Sequence, residues 1–132
     1  MDLYADDAHV ASLEAGLPGS GGSERLRRIV ELAWHVRERD TRRARSLARE
    51  AASLLGTHES LGDADTLAAR IVLTQAECAR LFGEIAEAEA LAACALQAFE
   101  QAIDTGGRND VRFLLARLGR GDLEEDVLGL RG

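Results

Sequence analysis

Alanines recur along this chain at one repeated spacing. Ala44, Ala48 and Ala51 follow the Arg39-Asp40 turn, and Ala88, Ala92 and Ala95 follow the Gly83-Glu84 turn. Steps of four and three residues place each trio on one face of an α-helix. A face bearing only methyl groups lets a second helix come close, and interlocking side-chain ridges then fix the pair. Small residues also stand before those turns, in Leu32-Ala33 and Gln75-Ala76. Successive hairpins nested in this way form a repeat stack.

Composition points the same way. Ala and Leu dominate, aromatics are 4% and there is one proline, whereas strands favour β-branched and aromatic side chains. With 132 residues, 46% apolar and 30% charged, the chain has room for one globular domain and lacks the composition of a disordered one. No apolar run is long enough to span a bilayer. Met1–Leu17 carries acids and no basic segment, so no secretory signal is expected. Two cysteines are too few for a disulfide framework, and a cytoplasmic location follows. Cys78 and Cys94 fall on facing helices, offset by about 9 Å at ~1.5 Å per residue. They are expected as two separate, buried or half-buried thiols.

Residues 1–22 read as an acidic arm and a Gly/Ser linker. Leu3, Val10, Leu13 and Leu17 allow a short helix there, and the flexible run from Pro18 follows. Residues 23–132 read as the helical domain. Ser23 is the expected cap of a helix ending near Arg39, with Leu26, Ile29, Val30, Ala33 and Val36 as its apolar face. Asp40 caps a second helix that Gly56 stops. A third is expected over Ala64–Phe82, with Phe82 inward, and a fourth over Glu84–Asp104, ended by Gly106-Gly107. A fifth covers Asn109–Leu118, and a short sixth Leu123–Leu128.

Charge is unevenly spread. The net value is −7, and all sixteen basic residues are arginine, a bias typical of GC-rich bacterial genomes. Nine of those arginines lie in residues 24–50 against five acids, while residues 51–104 hold two arginines against nine acids. An acidic chain is a poor general nucleic-acid binder. Its dipolar layout suits an acidic protein partner or self-association.

The segment Leu32-Ala33-Trp34-His35-Val36-Arg37-Glu38-Arg39-Asp40-Thr41-Arg42-Arg43-Ala44-Arg45-Ser46-Leu47-Ala48 resembles the tetratricopeptide repeat (TPR). It is similar to the divergent repeats that precede catalytic domains in bacterial signalling proteins such as GGDEF diguanylate cyclases. The resemblance covers residues 25–126, or about two and a half repeats, and Asp126 stands where the third would carry a small residue. It implies an all-α, right-handed stack of antiparallel helical hairpins, and a non-catalytic interaction or sensory-regulatory role. It also implies a concave groove lined by Arg27, Val30, Trp34 and Arg37, then Arg70, Leu73, Glu77 and Arg80, then Arg108, Val111 and Arg112. Arginines around one tryptophan suit an acidic peptide segment, held through carboxylates and an apolar anchor. The chain's own arm, with Asp2, Asp6, Asp7 and Glu14, is one such segment, and an output domain is another. An apolar end face of Leu114, Leu115, Leu118, Leu123 and Leu128 is expected to support a homodimer.

Catalytic chemistry finds no footing in the sequence. His9, His35 and His58 lie in three different segments and offer no converging ligand set, so neither metal nor cofactor is expected. No nucleophile elbow occurs. The acid pairs Glu87–Glu89 and Glu124–Glu125 read as solvated faces. Two alternatives stand beside the interaction module: a helical receptor for a small molecule, and a stand-alone TPR adaptor.

Overall fold

The computed structural model describes residues 7–58, 61–102 and 105–119. They form α1 (Asp7–Gly16), α2 (Gly22–Val36), α3 (Thr41–Leu55), α4 (Ala64–Leu81), α5 (Ile85–Gln101) and α6 (Thr105–Arg117). Among the described residues all regular structure is helical, as the alanine pattern and composition predict. Each helix packs on the next in sequence. In addition α2 touches α4 and α4 touches α6, whereas α3 and α5 do not pack on each other.

Both alanine trios do what their spacing requires. Ala44, Ala48, Ala51, Ala88, Ala92 and Ala95 are all buried. The interior falls into two clusters that share α4. Leu67, Ile71 and Cys78 of α4 join Leu26, Ile29, Val30, Leu32 and the α3 alanines. Ala69, Leu73 and Ala76 of α4 join Ala92, Ala95, Leu96, Phe99, Val111, Leu114 and Leu115. Helix α4 is therefore buried on two sides and is the spine of the fold. Trp34 belongs to the second cluster although it lies on α2, so it ties the two together. Burying each large apolar side chain contributes about 1.5–3 kcal/mol.

The turns are set by local chemistry. The Asp40 carboxylate accepts a hydrogen bond from the Arg43 backbone N–H (3.1 Å) and caps α3. Gly83 sits at φ +79°, where a side chain would be strained. The Glu84 N–H then donates to the Ala79 carbonyl (2.8 Å) and the Gly83 N–H to that of Arg80 (3.0 Å). These two bonds are a Schellman closure of α4.

Several details depart from the sequence reading. The run after Leu17 is a hydrogen-bonded turn: the Ser20 hydroxyl donates to the Gly16 carbonyl (2.6 Å) and Arg25 donates to that of Leu17 (3.2 Å). Val10 and Leu17 are buried, so α1 and its turn pack onto the domain. Gly21, not Ser23, is the N-cap of α2. Gly106 and Gly107 lie in the first turn of α6, where backbone N–H groups lack helical partners in any sequence. A Cβ on Gly107 would collide with the Phe99 ring, which gives that glycine a packing reason. Leu123–Leu128 lies outside the described residues. No helix among the described residues is long and apolar enough to cross a membrane.

Ala92→Leu, which forces an isobutyl group into the second cluster, should cost about 1–3 kcal/mol. Ala52→Leu, on the exposed side of α3, should stay within about 0.5 kcal/mol of wild type. Urea midpoints at unchanged slope measure both.

Candidate functional site

The predicted groove residues come from α2, α4 and α6, and the structure brings most of them together. It does so inside the protein. Val30, Trp34, Arg37, Arg70, Leu73, Glu77 and Val111 are all buried. Arg80 and Arg108 are half-buried, and Arg27 and Arg112 are exposed. Among the described residues, the inner face along α2 and α4 is consequently filled by the chain's own side chains.

What fills it is a charged cluster built around the tryptophan. The Arg37 guanidinium lies 3.7 Å from the Trp34 ring centre, a cation–π stack. It donates to the Trp34 carbonyl (2.9 Å) and to the Glu77 carboxylate (3.4 Å). Glu77, 1% exposed, also accepts from Arg80 (2.9 Å). On the other side, Arg70 stands 5.9 Å from the Trp34 ring and 5.2 Å from the Phe99 ring, and pairs with Asp110 of α6. A further bond, from Arg117 of α6 to Glu38 beyond the end of α2 (2.9 Å), crosses this face. That bond holds the Glu38 carboxyl below its usual range. Buried charges persist only when paired, and here each helix of the face supplies a partner for the next.

The remaining predicted residues have local roles. Arg27 binds Asp63 in a bidentate fork at 3.0 and 2.9 Å, which lowers the Asp63 pKa and raises that of Arg27. Arg108 pairs with Glu100 (2.9 Å), and Arg112 donates to Asn109 (3.2 Å). The described part of the arm, from Asp7 onward, does dock, though outside the predicted groove: Glu14 pairs with Arg43 and Asp7 with Arg39 (2.7 Å), while Asp2, Leu3 and Asp6 lie outside the described residues. Of the expected dimer face, Leu114 and Leu115 are buried in the second cluster, Leu118 is half-buried, and Leu123 and Leu128 lie outside the described residues. Leu114 and Leu115 are thus core residues, because α6 turns its apolar side onto α4 and α5.

Accessible features are found between α3 and α5. Where α3 and α5 stay apart, a cleft of about 440 Å³ opens, lined by Arg45, Arg49, Gln75, Glu84, Glu87 and Leu91. At its end the α4–α5 turn exposes Leu81, Phe82 and Ile85. Phe82, expected inward, is 43% exposed, because the Schellman turn carries it past the last turn of α4. Arg45 lies 4.5 Å over its ring and is held there by Glu84 at 2.7 and 3.1 Å. That pair lowers the Glu84 pKa and raises the Arg45 pKa. Arg42 and Arg49 are exposed on the same helix. Leu81-Phe82-Gly83-Glu84-Ile85 is the signal that sequence reasoning passed over: three large apolar residues packed around a glycine turn, where polar residues are the rule.

The thiols differ. Cys78 is buried, and burial raises its pKa to about 11. Cys94 is exposed, contrary to the sequence reading, because it sits on the outer side of α5, away from Ala92 and Ala95.

Compared with known proteins, the chain matches no family model, no curated protein and no solved structure.

Removing the Glu77 carboxylate leaves Arg37 buried without this counter-charge. Glu77→Ala should cost about 3–5 kcal/mol, whereas Arg27→Ala, which breaks an exposed pair, should leave the urea midpoint close to wild type.

Proposed function

We propose that this chain is a non-catalytic protein-interaction module, built as a TPR-like stack of helical hairpins. The packing order supports the stack: neighbours in sequence touch, α2 meets α4 and α4 meets α6. The observation that carries the binding role is the exposed apolar tip Leu81, Phe82 and Ile85 beside the arginines of α3. Contiguous exposed apolar side chains rimmed by charge mark partner surfaces. The partner this surface suits is an acidic protein segment with an apolar anchor. The anchor would sit against Phe82 and Ile85, and its carboxylates would meet Arg42 and Arg49.

A receptor for a small apolar molecule has less support. Such pockets are enclosed and mostly apolar, whereas the α3–α5 cleft is lined by two arginines, two glutamates and a glutamine, with Leu91 its one large apolar residue. The place of the module, ahead of an output domain in a cytoplasmic bacterial signalling protein of the diguanylate-cyclase type, is proposed on the TPR resemblance alone.

Selection from a random-peptide display library tests the reading. Acidic peptides with one or two large apolar residues should be enriched. Their binding should be lost in Phe82→Ser/Ile85→Ser and kept in Arg27→Ala. Enriched peptides indifferent to the tip substitutions would contradict the proposal.

A further inference from the structure

One side-chain cluster plays no part in that surface. Glu31 and His35 stand four residues apart on α2, so both project from the same face. Docking of α1 brings His9 against them. The His9 Nε2 lies 2.8 Å from Glu31 Oε1, and the His35 Nε2 lies 3.9 Å from the same oxygen. One ligand-capable atom from each of the three residues falls within 4.8 Å of the others.

The geometry points to a binding site for a divalent transition-metal ion of the zinc type, formed by His9, Glu31 and His35 and clamping α1 to α2. Two imidazoles and one carboxylate are a ligand set suited to zinc and its neighbours and unsuited to magnesium or calcium, which take oxygen. With bonds of about 2.05 Å, donor atoms in a tetrahedral site stand about 3.4 Å apart, inside the spread found here. The same bond length puts the centres of two coordinating imidazoles about 5.2 Å apart. The His9 and His35 ring centres are 5.3 Å apart, with their planes at 86°. Small side-chain rotations therefore suffice to close the site.

Burial is graded in a way that suits a held but open ion. The His35 side chain is 2% exposed, while those of Glu31 and His9 are 36% and 47% exposed. One ligand is thus fixed by the core, and the other two stand toward solvent. Helix α1 has ten residues, too few to be stable alone. Val10 and Leu17 are its share of the buried core together with its turn. An ion bridging both helices binds the docked form alone, so uptake and α1 docking are linked.

Zinc sulfate titrated into the full chain, followed by calorimetry and by thermal unfolding, tests the site. One equivalent should bind and raise the unfolding midpoint, and magnesium at the same concentration should leave it unmoved. His9→Ala and Glu31→Gln, both at half-open positions that leave the core intact, should each weaken binding by at least about tenfold. His58→Ala and Cys94→Ser should bind as wild type does. No zinc uptake, wild-type affinity in His9→Ala and Glu31→Gln, or loss of uptake in Cys94→Ser would overturn the proposal.

Discussion

The packing of Arg37 between Trp34 and Glu77 is the contact on which this structure turns. A guanidinium that is 2% exposed needs both a charge partner and a surface that accepts its flat face. Glu77 of α4 supplies the first and the indole of α2 the second. Because the partners come from different hairpins, the cluster fixes how α2 lies against α4. Arg70 and Asp110 extend the same logic from α4 to α6. Packing alone would let helices with alanine faces slide on one another; directional charge pairs between the helices select one register.

This cluster also decides which side of the molecule is closed. Side chains that would line an inner groove are used up in holding α2, α4 and α6 together, and Arg117 reaches across to Glu38. The outer side keeps the cleft between α3 and α5 and the apolar tip at the α4–α5 turn. Closure of one face and exposure of the other have the same cause: α4 touches both α2 and α6, and α3 and α5 do not touch each other.

Much of the fold was legible in the sequence, because alanine spacing reports directly on close helix approach. All six alanines of the two trios are buried, and five helices lie near where periodicity and capping residues put them. The site was legible only as a residue list. The positions along α2 and α4 that face a groove in an open stack also face α6 when it folds inward, and local spacing cannot tell a groove from a core. Arginine misled for a related reason: it is read as a surface residue, yet its planar cation buries well against tryptophan when a carboxylate is near. Phe82 and Cys94 went wrong by a fraction of a helical turn at the Gly83 closure and on α5. His9 could not be matched with Glu31 and His35, since their meeting depends on the docking of α1, a contact between segments that no periodicity encodes.

Trp34 is the single tryptophan of the chain, so its fluorescence reports on the inner face without labelling. Acrylamide quenching of the native protein, set against the chain unfolded in urea, is the most direct test of a closed Arg37–Trp34–Glu77 core. A quenching slope far below that of the unfolded chain, with blue-shifted emission, is the predicted result. A native slope equal to the unfolded one would place the indole in solvent and contradict the account.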